Sequence, residues 1–459
     1  MLEIKDFKIE YGNKLIFKEL NLVANKGEII LITGPSGCGK SSLLKVINGI
    51  IPEVEQAKLS GKIMYNNVEL DQSISKRSQI ISTVFQNPKT QFYCINTTDE
   101  LAFGLENRNI PKEKIFEIID EYTNLLNTKD LLGKNIFTLS GGQKQLIAIT
   151  ATSAMNNDIY LLDEPSSSLD RTSVTWLKET LVKLKEMGKI ILIAEHRLYY
   201  LKNLIDKICI LDMNESKTFD KNELTDEFLE EIREKYNLRT WKDYARNPTK
   251  PNKVIHLLEK NSEISGKLQC REIKFSYNDN QIINTSVAFD KGINFIVGEN
   301  GIGKSIFIKI LANLLKHAGH VYYDEHEIIK SYDYISMVMQ DVNYQLFTDS
   351  VWQEISIASN DDSLKKKILK ELDLYDKKEN HPQTLSGGEK QRLLIGLAKV
   401  SNKPIVILDE PTSGLCKSQM TQMINYLWEM RDQGKLVIVI THDYELIHEC
   451  GGRIYQFIK

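Results

Sequence analysis

Two short stretches of this chain are each written twice. GPSGCGKS at 34–41 returns as GENGIGKS at 298–305, and LSGGQKQ at 139–145 returns as LSGGEKQ at 385–391. LDEP recurs at 162–165 and 408–411, and a histidine closes a later apolar run at His196 and again at His442. The offset is 246 from Ser140 to Ser386, from Asp163 to Asp409 and from His196 to His442. It is 264 from Lys40 to Lys304, so the first copy is 18 residues longer between its first two motifs. A fixed period of this kind means a tandem duplication of a unit of roughly 200 residues, and the fold must be that unit twice.

Each copy reads as strand, glycine loop, helix. EIILITG (28–34) is a buried strand, and SSLLKVINGI (41–50) opens a helix after the loop. INFIVGENGIGKSIFIKILANLL (293–315) repeats the order. Later, DIYLLDEP then GKIILIAEH, and PIVILDEP then GKLVIVITHD, give strand–helix–strand signals. Their apolar runs do not alternate, which is the pattern of a parallel sheet covered on both faces. Leu224, Phe228, Ile232 and Tyr236 share one face of a packing helix. RTWKDYARNPTKPNK (239–253), with two prolines and five basic residues, reads as a linker. The predicted organisation is a first domain over 1–238, a linker over 239–267 and a second domain over 268–459. The predicted class is α/β, with two P-loop NTPase domains in tandem.

The loop pattern G-x-x-x-x-G-K-[ST] carries the first chemistry. Small residues let consecutive backbone N–H groups curl around phosphate oxygens, and the following helix aims its positive end at the same anion. The residues expected against a nucleotide are Gly34, Gly37, Gly39, Lys40, Ser41 and Ser42, and again Gly298, Gly301, Gly303, Lys304 and Ser305. Lys40 and Lys304 would reach the β- and γ-phosphates, and the hydroxyls of Ser41 and Ser305 would ligate Mg²⁺. A glycine turn with no ligand would carry the same letters. Both copies, however, sit between an apolar strand and a helix, as the mechanism demands.

That loop gives meaning to the adjacent acids of LDEP. Two carboxylates side by side repel and lose hydration when partly buried, unless they serve a cation or a proton transfer. A strand end whose acids simply face water is the plainer alternative. In a P-loop protein the acid ending a neighbouring parallel strand lies beside the metal of the triphosphate. Asp163 and Asp409 take that place, and Glu164 and Glu410 would orient or deprotonate the attacking water.

Bulk properties narrow the class. Apolar content of 42% and charged content of 26% are ordinary for a globular protein. A net charge of −3 gives no electrostatic argument for wrapping nucleic acid. Six scattered cysteines without a C-x-x-C pair suit a reducing compartment and argue against a zinc or iron–sulfur site. The start MLEIKDFKIEYGNK lacks the apolar core of a signal peptide, and no apolar run approaches the length of a membrane span.

The combination of two P-loops, two LDEP strands, two histidines and LSGGQ (139–143) or LSGGE (385–389) resembles a pair of fused ABC-transporter ATP-binding subunits. The resemblance implies a mainly parallel core, an antiparallel β subdomain and a helical subdomain in each half. It implies ATP and Mg²⁺ as ligands, bound at two composite sites where the halves pair head to tail. Lys40 would then share a site with Ser386, Gly387 and Gly388, and Lys304 with Ser140, Gly141 and Gly142. Gln86 (STVFQNP) and Gln340 (MVMQDV) resemble the glutamine that touches the metal and the attacking water. His196 and His442 resemble the histidine that contacts the γ-phosphate. A histidine at a strand end is more often structural, but here it recurs at matched positions. Tyr11 (FKIEYGN) and Tyr277 (IKFSYND) resemble the aromatic that stacks on adenine. Asp170 fits the family's Asp after LDEP, whereas the second half has Cys416. A thiol lacks a carboxylate's acceptor capacity, so the two sites are expected to be unequal.

One stretch narrows the family. QNPKTQFYCINTTDELAFGLEN (86–107) resembles the cobalt-type and energy-coupling-factor importer ATPases. The resemblance implies a groove for a coupling helix of a membrane subunit, lined or flanked by Gln91, Asp99 and Glu100. A plain amphipathic helix with Leu101, Phe103 and Leu105 in its core is the alternative. The second half keeps Gln345 and Glu354 but loses AFGLEN. The implied partners are an integral membrane subunit and a membrane substrate-binding subunit, with the ATPase peripheral at the cytoplasmic face. A ribosome-associated ABC-F-type factor would need a long charged linker, and a sugar-importer ATPase would lack TDELAFGLEN.

Overall fold

Every residue of Ile29–Thr33 is buried, as an unbroken apolar run requires, and the strand lies inside a six-stranded sheet. The computed structural model describes residues 1–12, 14–71, 73–212, 215–246, 250–259, 265–277 and 280–459. The chain divides into two units: Met1–Asp243 with Gly414–Gln419, and Tyr244–Ser413 with Met420–Lys459.

In the first unit the sheet order is Glu215–Asp220, Lys207–Asp212, Ile29–Thr33, Ile190–Ala194, Ile159–Asp163, Ile81–Val84. Only the first pair is antiparallel. One face packs on helix Lys40–Asn48 and a four-stranded antiparallel sheet built around Leu2–Tyr11. The other face packs on helix Arg171–Glu186 and on Asp226–Lys235. Helices Thr97–Glu106, Lys112–Leu125 and Gly141–Ala154 form a separate layer with its own small core around Leu101, Leu105, Ile119 and Ile147.

Parallel pairing decides where chemistry can collect. Ala194 stands opposite Ile32 on one side and opposite Asp163 on the other. The glycine loop and the acid therefore leave the same edge of the sheet, the carboxyl edge where open α/β sheets bind ligands. The second unit repeats this, with Ile440 between Ile296 and Asp409.

The second sheet runs Lys253–His256, Arg453–Ile458, Gly292–Val297, Leu436–Ile440, Ile405–Asp409, Ile335–Val338, and is parallel throughout. Its first strand lies within the segment expected as a linker. At the other end of that segment Trp241 is 2% exposed, belongs to the first unit's core and donates its indole N–H to the Leu229 carbonyl at 3.0 Å. The segment expected as a linker over 239–267 thus carries core and sheet residues at both flanks. Residues 247–249 and 260–264 lie outside the described residues. Among the described residues no helix is long and apolar enough to cross a membrane.

Candidate functional site

Backbone geometry builds the two glycine loops. Gly34 has φ 146°, and a Cβ there would stand 2.0 Å from the Leu211 carbonyl, so only glycine fits between strand and loop. Lys40 is buried and donates to the carbonyls of Gly34 (3.3 Å) and Pro35 (3.1 Å). Lys304 does the same to Gly298 (2.7 Å) and Glu299 (2.8 Å). The helices that follow begin at Gly39 and Gly303 with no side-chain cap, so their first N–H groups face the loop without a side-chain acceptor. A ring of backbone donors plus a lysine is a ready anion cradle.

The acids arrive from the neighbouring strands. Ser41 Oγ donates to Asp163 Oδ1 at 3.0 Å, and Ser305 makes the same contact with Asp409. Burial raises both aspartate pKa values, against the pull of the serine hydroxyl and the lysine. Glu164 and Glu410 sit in left-handed backbone, φ 45° and 50°, an unfavourable conformation for residues with a Cβ. Gln86 Nε2 donates to Glu164 Oε2 at 2.7 Å. His196 Nε2 stands 3.8 Å from Glu164 Oε1.

Protonation states follow from burial. Desolvation, reinforced by the nearby Glu195 charge, pushes Glu164 up to about 8, while Lys40 and the Gln86 hydrogen bond pull the other way. Desolvation, with Lys40 and Arg239 adding to it, pushes His196 well below its usual range. Near neutral pH the 3.8 Å contact joins two neutral groups and is not an ion pair. In the second unit His442 Nε2 is 2.9 Å from Asn300 Oδ1 and 3.5 Å from Glu410 Oε1.

The LSGG segments start helices Gly141–Ala154 and Gly387–Val400. Ser140 Oγ accepts from Gln143 N and the Gln143 side chain accepts from Ser140 N, and Ser386 with Glu389 forms the same box. A Cβ at Gly387 would meet nothing within 4 Å, and one at Gly141 only Ser168 at 3.8 Å. Packing therefore does not demand glycine at either position. Asp170 accepts from Ser173 N at 2.8 Å and caps helix Arg171–Glu186. Cys416 has no such capacity; its thiol lies 3.1 Å from Ser418 Oγ, and its N–H goes to Gln419 Oε1. Tyr11 and Tyr277 end the strands Leu2–Tyr11 and Leu268–Tyr277, the first half-buried and the second 64% exposed. Gln340 is exposed.

A model of the ABC transporter family matches residues 17–167 and 283–413. This chain belongs to the ABC transporter family. A Treponema denticola protein, provisionally named an ABC transporter ATP-binding protein, is 36% identical over 447 residues, covering 95% of this chain and 90% of that one. The Bacillus subtilis protein provisionally named HMP/thiamine import ATP-binding protein YkoD is 30% identical over 489 residues, covering 99% and 88%. The solved archaeal ribosome recycling factor aABCE1, in complex with stalk protein aP1, superposes with TM-score 0.65 at 23% identity, covering 98% and 86%, a likeness of fold. The chain is an ATPase built from two ABC domains.

In this ABC ATPase, polar side chains of the 86–107 segment bind nearby backbone. Gln91 Oε1 accepts from Phe85 N, and Glu100 is buried and accepts from Tyr93 N and Cys94 N. Gln345 and Glu354 repeat both roles, on Met339 N and on Phe347 N and Thr348 N. Glu100 and Glu354 are buried beneath their loops, Gln91 and Gln345 are half-buried, and Asp99 is exposed. Phe103 leaves the core to stack on Tyr93 at 5.0 Å, and Tyr93, Ile95 and Phe137 are exposed. Sequence reasoning missed Glu195 and Asn300, which touch the candidate site through contacts remote in sequence.

Proposed function

We propose that this ABC ATPase energises a membrane importer of the energy-coupling-factor or cobalt type, taking up a vitamin, a vitamin precursor or a transition-metal ion. The observation that carries this reading is the set of exposed apolar side chains Tyr93, Ile95 and Phe137, Tyr93 stacked on Phe103 of the 86–107 segment, matched by Tyr344 and Phe347 in the second unit. Tyr93 is 79% and Phe347 78% exposed, an arrangement that marks a protein–protein contact. The likeness to a protein named for HMP/thiamine import supports the same reading.

In the site, Lys40 and Lys304 with the loop amides would hold the triphosphate, and Tyr11 and Tyr277 would stack on the base. Ser41 and Asp163, a hydroxyl and a carboxylate 3.0 Å apart, suit Mg²⁺, which takes hard oxygens from few side chains; Gln86, and Ser305, Asp409 and Gln340 in the other half, complete the sets. Bound with ATP, the ion would neutralise charge on the phosphate oxygens. Glu164 and Glu410 would orient the attacking water, taking its proton once ionised, and His196 and His442 would face the γ-phosphate. Ser140 with Gly141 and Gly142, and Ser386 with Gly387 and Gly388, would each offer a helix start to the triphosphate held by the other half. Hydrolysis would let the halves reopen, and the Gln86 and Gln340 loops would pass that motion to the membrane subunit.

The test is to purify tagged protein carrying Glu164→Gln and Glu410→Gln from detergent-solubilised cells with ATP, and to identify its companions by mass spectrometry. A small polytopic membrane protein is expected. Recovery with ribosomes and without any integral membrane protein would overturn the importer reading.

A further inference from the structure

Glu195 follows strand Ile190–Ala194 and is 2% exposed. Its Oε2 accepts from Ser166 N (3.3 Å), Ser166 Oγ (2.7 Å) and the Tyr200 hydroxyl (3.0 Å). Its Oε1 accepts from His196 N (2.8 Å) and Arg197 N (3.1 Å). The main chain of Glu195 is fixed as well, its N–H on the Ile32 carbonyl and its carbonyl on Thr33 Oγ1. Arg197 does not neutralise the carboxylate in this set; its guanidinium donates to the carbonyls of Ser166 and Leu169. One buried side chain thus joins the turn that follows Glu164 to the turn that carries His196.

The second copy lacks this device. At the constant offset of 246, Thr441, Thr412 and Leu446 stand where Glu195, Ser166 and Tyr200 stand in the first. There Glu410 Oε2 itself accepts from His442 N at 3.4 Å, and among the described residues the buried Thr412 hydroxyl has no hydrogen-bond partner. His442 is held from a different direction, by Asn300 of the glycine loop.

We propose that Glu195 is a positioning residue of the first ATP site: its carboxylate sets where His196 and Glu164 stand relative to each other, whereas in the second site Glu410 holds His442 N directly and Asn300 meets the His442 ring. The proposal rests on the reading that Glu164 and His196 act on ATP. Five donors converge on two oxygens, so geometry decides which substitutions are tolerated. In Glu195→Gln the amide oxygen can still accept from His196 N and Arg197 N, while the amide N–H groups donate to the two hydroxyls, which rotate to accept. Only Ser166 N loses its acceptor. In Glu195→Asp the charge remains but the side chain is one methylene shorter and cannot reach both turns.

The experiment measures kcat and KM for ATP in the full chain with Glu195→Gln and Glu195→Asp, each with and without His196→Ala. Glu195→Asp is expected to lower kcat on the order of tenfold with KM within about threefold, and Glu195→Gln to stay within about threefold of the parent. In the His196→Ala chain the Asp substitution should cost less than about twofold, because the group being positioned is gone. An equal loss in both backgrounds, an unchanged kcat in Glu195→Asp, or a Gln variant as impaired as Asp would each overturn the proposal. Glu164→Gln, measured alongside, reports separately on the underlying reading: full turnover in that variant would contradict the role of Glu164, while the cycle still reads the coupling between Glu195 and His196.

Discussion

At the scale of single residues, Glu164 combines left-handed backbone, burial and a neighbouring carboxylate, and each of these favours its neutral form or strains its surroundings. Its carboxyl is lifted from 4.5 to about 8 in the folded chain. Between those values the unfolded chain has released a proton that the folded chain keeps, so this group's contribution to stability falls as pH rises through that window. Glu164→Gln removes the contribution. The difference in Tm between the Gln variant and the parent, followed by calorimetry without nucleotide, should therefore grow in favour of Gln from about pH 6 to about pH 8. A difference that does not change with pH would show that the carboxyl is ionised throughout. The acids themselves were legible in the sequence, because LDEP ends an apolar strand twice at a fixed offset. Glu195 was not, since its partner Ser166 lies 29 residues away and AEH differs from the second copy's ITH by letters that carry no local signal.

At the scale of elements, the signature helices separate folding from function. Ser386 closes a capping box, so Ser386→Ala should lower stability by about 1 kcal/mol. Gly387 has open space where a Cβ would go, so Gly387→Ala should change stability by less than about 0.5 kcal/mol in urea unfolding. ATP turnover in Gly387→Ala should nevertheless fall at least about tenfold, if the helix start meets phosphate closely. Unchanged turnover would remove the helix start from the site. Strands and glycine loops were readable because each has a short-range signature. Within the segment expected as a linker, prolines and charges dominate a composition that hides Trp241, an indole bound to a carbonyl twelve residues upstream. The strand Lys253–His256 was missed for a related reason: four residues paired with the chain's last strand leave no periodicity to detect. In the 86–107 segment and its counterpart in the second unit, the burial of Glu100 and Glu354 beneath their loops depends on backbone N–H groups that sequence pattern does not reveal.

At the scale of the whole molecule, duplication explains why so much was legible: each motif was its own control. The same comparison exposes the differences, namely Asp170 against Cys416, Glu195 against Thr441, and an antiparallel hairpin against a parallel strand at the sheet edge. Two sites with unlike surroundings should bind ATP unequally. The most direct measurement is equilibrium binding of ATP with Mg²⁺ to the purified Glu164→Gln, Glu410→Gln chain, repeated with Lys40→Ala and with Lys304→Ala. The account predicts two ATP per chain in two steps of different affinity, with each lysine substitution removing one step. A single ATP per chain, or the loss of both on either substitution, would contradict it.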